Sequence, residues 1–282
     1  MQLITWNVQW FCGLDRRIDI DRVLRTAREW ADFDVLCLQE VACGYPELEG
    51  DASHDQAALL RQKLPGFEVA YAPAVDELAA DGHRRQRFGN LIASRLPVLQ
   101  LMPQMLPYPA AAGVRSMPRA ALTATLRAPW GPLRVTTTHL EYYSQEMRAA
   151  QVESLRALHA QAAAHALAPP LADDSDGPFQ AKAHTLDAVL TGDFNCEAGS
   201  PEFARLVQGN GPATLHDAWR LRHGDAPQPA TFHVFDKRYS PDPVACDFIL
   251  ASEPLRSRVS RVEVESATQA SDHQPVLLEL QD

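Results

Sequence analysis

The sequence predicts an α/β or α+β fold, with substantial sheets and helices packed outside them. Short β-type runs and helical periods both recur from the first residues to the last, and strands outnumber helices. The composition permits such a fold, since 46% hydrophobic and 22% charged residues exclude a disordered or fibrous chain.

The first strand spans residues 3–8 and begins almost at the chain start. Asp19 or Asp21 can cap a helix whose Val23, Leu24, Ala27 and Trp30 fall on one face. Residues 34–38 form an apolar run of strand length. Residues 54–64 read as helix until Pro65-Gly66 stops it, and extended structure resumes over 67–71. Strands are expected at 89–94, 120–126 and 133–138. Ser144 caps a long helix with Glu146 well placed against its N-terminal dipole, and Val152, Leu155, Leu158 and Ala162 form its apolar stripe. A strand at 185–190 precedes a helix opened by Ser200-Pro201-Glu202, a cap followed by a first-turn proline. The remaining strands fall at 231–235, 246–251, 258–265 and 276–280. Residues 76–87 and 169–183 break periodicity and read as mobile insertions. Matching signals lie on both sides of each, so residues 1–282 are expected to form a single domain.

Charge and cysteine usage narrow the function. Lys and Arg number 26 against 36 Asp and Glu, a net charge of −10, whereas a protein holding nucleic acid by bulk charge would be basic. A polyanionic substrate would need a local basic patch or a bound cation. No apolar run approaches the length of about 18 residues that a spanning helix needs. The start of the chain shows no export signal, and Cys12, Cys37, Cys43, Cys196 and Cys246 form no Cys-x-x-Cys pair. A reduced, cytoplasmic compartment is the expectation.

The chemistry-bearing residues cluster at strand ends, which project into the loop layer where ligand sites form. Asn7 ends the first strand and Glu40 follows Leu38-Gln39. His139 closes Thr136-Thr137-Thr138, and Asp193 and Asn195 stand in Gly192-Asp193-Phe194-Asn195. Asp247 opens Asp247-Phe248-Ile249-Leu250, and Asp272-His273 precedes the last strand. Singly, each has a plain structural reading: a turn residue, a solvated strand end, a cap, a satisfied core histidine.

Taken in order, Thr5-Trp6-Asn7, Leu38-Gln39-Glu40, Thr138-His139-Leu140, Gly192-Asp193-Phe194-Asn195, the Asp247 strand and Ser271-Asp272-His273 resemble the endonuclease/exonuclease/phosphatase superfamily, the deoxyribonuclease-I-like proteins. The resemblance covers positions 5–273. It implies a four-layer sandwich of two packed, mainly antiparallel β-sheets flanked by helices. It also implies a metal-dependent phosphoester hydrolase. Glu40 would hold a divalent ion, with Asn7 beside it and Asp272 a direct or water-mediated ligand. Oxygen ligands suit Mg²⁺ or Mn²⁺. His273 would be the general base with Asp247 fixing its tautomer, and Asp193 would orient or deprotonate the attacking water. Asn195 would donate to the phosphoryl oxygen, and His139 would bind a phosphate oxygen or assist the leaving group. Arg119 aligns with a phosphate-side arginine in parts of the family.

Departures bear on the branch. Many relatives carry Arg-Ile-Asp-Tyr where this chain has Cys246-Asp247-Phe248, without the arginine. Abasic-site endonucleases carry a tyrosine segment in place of Thr138-His139-Leu140. In the deoxyribonuclease branch a glutamate partners the first histidine, and Asp76 and Glu77 are the candidates here. Trp10-Phe11 and Tyr142-Tyr143 follow site positions and can stack on a ring or pack the rim, with Tyr142 taken as substrate-binding. His83-Arg84-Arg85-Gln86-Arg87 is the one local basic run. The leading expectation is a nuclease or nucleic-acid phosphodiesterase. A hydrolase of phospholipid, inositol phosphate or another small phosphoester comes second, and a non-catalytic scaffold third. A long positive groove favours the first and an exposed apolar hairpin the second. The partner is a phosphoester substrate, nucleic acid among the candidates, and no protein partner is indicated.

Overall fold

Successive side chains of a strand point to opposite faces, and that alternation decides the layering. The computed structural model describes residues 1–171, 177–238 and 241–281. Its strands are β1 (Gln2–Asn7), β2 (Val35–Tyr45), β3 (Ala52–Asp55), β4 (Glu68–Leu78), β5 (Arg85–Ser94), β6 (Val98–Met105), β7 (Ala120–Ala128), β8 (Gly131–His139), β9 (Ala188–Asp193), β10 (Leu215–Asp217), β11 (Asp247–Ser252), β12 (Val259–Val264) and β13 (Val276–Leu280). The helices are α1 (Ile20–Trp30), α2 (Gln56–Lys63), α3 (Gln145–Leu167), α4 (Pro201–Leu206) and α5 (Ala218–His223).

One sheet has the order β12-β13-β1-β2-β5-β4, with β3 paired to β2; the other runs β10-β11-β9-β8-β7-β6. Each is mainly antiparallel with one parallel pair, β1–β2 in the first and β8–β9 in the second. Leu3, Val35 and Cys37 face Leu133, Val135, Val189 and Ile249 in a core between the sheets. Their neighbours Ile4, Trp6, Leu36 and Leu38 point the other way, onto Val23 and Leu24 of α1 and Leu60 of α2. On the far side Leu190, Phe248 and Leu250 pack against Leu155 of α3 and Phe203 of α4. Each of these large apolar side chains contributes about 1.5–3 kcal/mol by burial. The result is the four-layer α/β sandwich.

Caps define the helices as the sequence implied. Asp19, not Asp21, accepts from Arg22 N at α1, Ser144 accepts from Met147 N at α3, and Ser200 accepts from Phe203 N at α4. At α2 the cap is Asp55, so His54 falls in β3 rather than in the helix.

Three expectations need correcting. Residues 76–87 are not an insertion but the end of the β4–β5 hairpin, held by Asp76 opposite Arg87 and an Asp76–Arg85 ion pair. A run of charges that pair across strands looks like a loop when read along one strand. Residues 231–235 form no strand. Phe232 makes isolated bridges to Val244 and His273, and His233 has φ 56°. The expected strand at 185–190 begins three residues later, at Ala188. Of the other proposed insertion, 169–183, residues 172–176 lie outside the described residues. Edge strand β6 was missed because Pro103 interrupts its pattern, yet an edge tolerates a residue lacking an N–H.

Between α3 and β8, His159 accepts from the Arg134 guanidinium at 2.7 Å and bonds the Ala213 carbonyl through Nε2 at 2.8 Å. Burial, then the Arg134 charge, pushes its pKa down to about 4. The unfolded histidine takes its proton first as pH falls, so this contribution is complete above pH about 6.5 and is lost between about 6.5 and 4. The unfolding free energy of wild type relative to His159→Gln is expected to shrink by about 2 kcal/mol across that window, measured by urea titration at each pH. A constant difference would refute it.

Candidate active site

The alternation that builds the inner core also assembles the site. Asn7 shares the face of Leu3, His139 that of Leu133 and Val135, Asp193 that of Val189, and Asp247 that of Ile249. All four are therefore carried to one end of the layer between the sheets. Register places His139 beside Asp193 and Asp247 opposite Asp193. Gly192 permits the close approach of β8 and β9, because a Cβ there, at φ 141°, would lie 1.9 Å from the Thr138 carbonyl oxygen.

Glu40 arrives by a different device. The β2–β5 register slips between Leu38 and Val41, and Glu40 sits in that bulge with φ 60°. The bulge turns its side chain toward the site. Gln9 and Trp10, both with φ 43°, and Asn195, with φ 49°, are also held in the left-handed region beside it. Strain of about 1–3 kcal/mol per residue concentrates where side chains must be aimed.

The contacts are short and mostly buried. His273 Nδ1 lies 2.9 Å from Asp247 Oδ2, and its ring stacks on Phe232 at 4.2 Å and 18°. That leaves Nε2 turned toward Asp193 Oδ2, 3.7 Å away. Asp193 also lies 3.4 Å from His139 Nε2, accepts from Asn7 Nδ2 at 3.0 Å and accepts from the Asn195 N–H at 2.9 Å. Asp193 is thus the hub between two imidazoles. The carboxylates beside His139 are Asp193 and Glu40, the latter at 3.9 Å. Asp76 is instead paired with Arg85, so it does not play that part.

Asn7 donates to Glu40 at 3.2 Å, while its oxygen accepts from the Gln9 N–H at 3.1 Å. Its amide thus braces two carboxylates, Glu40 and Asp193. Asp272 Oδ2 accepts from Gln9 Nε2 at 2.8 Å. Glu40 and Asp272 are the carboxylates that could hold a hard divalent cation, an oxygen donor set that fits Mg²⁺ or Mn²⁺. Another grouping of ligand atoms within 4.8 Å comprises Asp193, Cys246 and His273.

Electrostatics separate the titrating groups. Burial, then the nearby Asp272 charge, raises Glu40 to about 7, and burial raises Asp272 as well. Burial works against the charged form of His273, but Asp247 and Asp193 outweigh it and hold the ring up at about 10. His139 goes the other way, down to about 3, through burial and then Arg119. The two imidazoles are pushed in opposite directions, the pattern expected of groups with different tasks.

These residues open onto a cleft of about 620 Å³. Arg119, the expected phosphate-side arginine, lines the cleft and is 6% exposed; it pairs with buried Glu141 at 3.4 Å and leaves Nη1 without a hydrogen-bond partner. Asn195 donates one amide hydrogen to the Leu140 carbonyl at 2.8 Å. Tyr142 and Tyr143 meet edge to face at 4.9 Å on one wall, and Trp10 and Phe88 lie 6.5 Å apart on another. The basic run is neutralised: Arg84 pairs with Asp81, Arg85 with Asp76 and Arg87 with Asp55. Sequence reasoning missed Gln9 and Phe232, and gave no role to Ser271, whose hydroxyl ties the last loop to the Asn7 carbonyl at 2.7 Å. Only the proximity of Gln9 to Asn7 could have flagged the first.

Residues 4–273 match the model of the Endonuclease/Exonuclease/phosphatase family. A comparison with curated proteins finds no match. Among solved structures, the endonuclease/exonuclease/phosphatase from Bacteroides vulgatus is 19% identical with a TM-score of 0.69, covering 99% of this chain and 98% of that one. The mannosyl-6-phosphatase of Bacteroides thetaiotaomicron is 18% identical with a TM-score of 0.65, covering all of both chains. A 3′ phosphatase from Neisseria bound to a product DNA hairpin is 20% identical with a TM-score of 0.60, also covering all of both. The fold is common to all three, and the family match over nearly the whole length shows that this chain belongs to the endonuclease/exonuclease/phosphatase family of phosphoester hydrolases.

Proposed function

We propose that the protein is a divalent-metal-dependent phosphoester hydrolase acting on a terminal or single-stranded nucleotide phosphoester rather than on a long duplex. The observation that carries this reading is the cleft: aromatic walls beside an acidic centre, with Arg115 and Arg119 its lining arginines. Bases stack on such walls irrespective of sequence, at about 1–3 kcal/mol each. A duplex tract would need many phosphate contacts, and the arginines of the basic run are paired with aspartates. The small-phosphoester reading stays as the second, supported by the same compact cleft and by the sugar-phosphatase neighbour.

The residues divide the chemistry as follows. Bound divalent metal, held by Glu40 and Asp272 with Asn7 bracing, would supply Lewis acidity and charge neutralisation at the phosphoryl group. Asp247 takes the Nδ1 hydrogen of His273 and so directs Nε2 at the reaction centre. A water meeting both Nε2 and Asp193 Oδ2 would be placed for attack, with Asp193 as the group that takes its proton and the charged His273 ring orienting it and offsetting the developing negative charge. The partnerless Arg119 Nη1 and the second amide hydrogen of Asn195 meet the non-bridging oxygens. His139, neutral and buried, offers a hydrogen bond to a phosphate or leaving oxygen.

The test is a side-by-side screen with Mg²⁺ or Mn²⁺ against bis-p-nitrophenyl phosphate, single-stranded DNA, RNA, plasmid duplex, mannose 6-phosphate, phosphoinositides and sphingomyelin. Metal-dependent release from single strands or ends, faster than duplex nicking, is the expected result. Full activity in excess chelator would defeat the metal dependence. Duplex nicking at an equal or higher rate would defeat the substrate reading.

A further inference from the structure

The second ligand grouping at this site is chemically unlike the first. Asp193, Cys246 and His273 present an oxygen, a sulfur and a nitrogen within 4.8 Å of one another, all three residues buried. Cys246 Sγ is 3.6 Å from Asp247 Oδ2, the carboxylate that also engages His273 Nδ1. A metal on His273 Nε2 would therefore meet a ring already oriented by a carboxylate through its other nitrogen, the usual support of a metal-bound histidine. Three protein ligands of N, O and S type suit zinc, and thiolate selects zinc over magnesium. Access exists from two sides. Asp193 and His273 line the main cleft, and Cys246 lines an adjoining hollow that shares Tyr142, Asn195 and Phe232 with it.

We propose that Asp193, Cys246 and His273 form an inhibitory site for zinc or a similar soft divalent ion, separate from the Glu40–Asp272 pair. Coordinate bonds form from Sγ, an Asp193 oxygen and His273 Nε2; the Cys246 S–H bond and the Nε2–H bond of the charged ring break, and both protons pass to solvent. The ion then occupies the groups that handle the attacking water, so turnover stops while the magnesium pair is left in place. The inhibition rests on the roles proposed above for Asp193 and His273, whereas the metal binding does not.

The probes are Co²⁺ and Zn²⁺ added alone to the whole protein, as wild type, Cys246→Ser and Cys246→Ala. Wild type is expected to show a thiolate-to-cobalt charge-transfer absorption that both variants lack. Zinc affinity by calorimetry should fall at least about 10-fold in the variants, the lower end of what even an outer-shell change costs a bound metal. Zinc inhibition of magnesium-supported hydrolysis should weaken by a similar factor, with Cys246→Ser keeping wild-type turnover in the absence of zinc. No thiolate band in wild type, or an unchanged band in Cys246→Ser, overturns the site. Unchanged zinc inhibition in the serine variant overturns the inhibition. A cobalt band without turnover on any phosphoester sustains the metal site and removes the hydrolase reading instead. Should the alanine variant not fold, the serine variant decides.

Discussion

Replacing His273 with alanine is expected to lower kcat by about three to four orders of magnitude, the span of a lost general acid–base group in an assembled site. KM should change little, because Arg119, Asn195 and the aromatic walls remain. The ring also stacks on Phe232 and is the partner of Asp247, whose other oxygen has no hydrogen bond. Its removal leaves a buried carboxylate unpaired, at a stability cost of about 1–3 kcal/mol or more. Thermal melts must therefore accompany the kinetics. Partial recovery on adding imidazole would mark a chemical loss, which unfolding would not show. Activity within tenfold of wild type, with the fold intact, would falsify the role given to His273.

The second large effect concerns Glu40→Gln, which should act in opposite directions on activity and on stability. Hydrolysis at a magnesium level that saturates wild type should fall at least about 100-fold, since a hard cation loses a carboxylate from a site with only two to offer. In chelator the same variant should be more stable than wild type. Burial and Asp272 hold the folded Glu40 carboxyl at about 7, above its unfolded value. The unfolded chain carries that charge more readily, so near neutral pH Glu40 costs the fold about 1–2 kcal/mol, a figure discounted for partial exposure. The cost appears as pH rises past the ordinary glutamate range and vanishes in acid. A stabilised, inactive variant is the signature of a position kept for function. A metal response like that of wild type, or a destabilised metal-free protein, would end this account of Glu40.

Much of the layout could be read from local pattern. Caps at Asp19, Ser144 and Ser200 depend on residues three positions apart, and the signal survives in a linear chain. The failures occurred where partners lie far apart. Asp76, Arg85 and Arg87 look like a solvated loop until a cross-strand register pairs them. Thr231 looks like the start of a strand, yet its hydroxyl serves the amides of Cys246 and Asp247. Arg119 gave no hint of burial, because Glu141 beneath it belongs to the loop after another strand.

By itself the sequence determined the class of fold, the starts of α1, α3 and α4 and the family, since alternation, capping and short ordered motifs need only near neighbours. It also named nearly every polar residue that now meets at the site. Tertiary structure alone decided how they meet: the bulge that aims Glu40, the hub position of Asp193 between His139 and His273, and the inward turn of Asn7. It alone brought Cys246 within reach of two of them. Those relations depend on strand register and on the packing of one sheet over the other, and both are long-range quantities that no local pattern encodes.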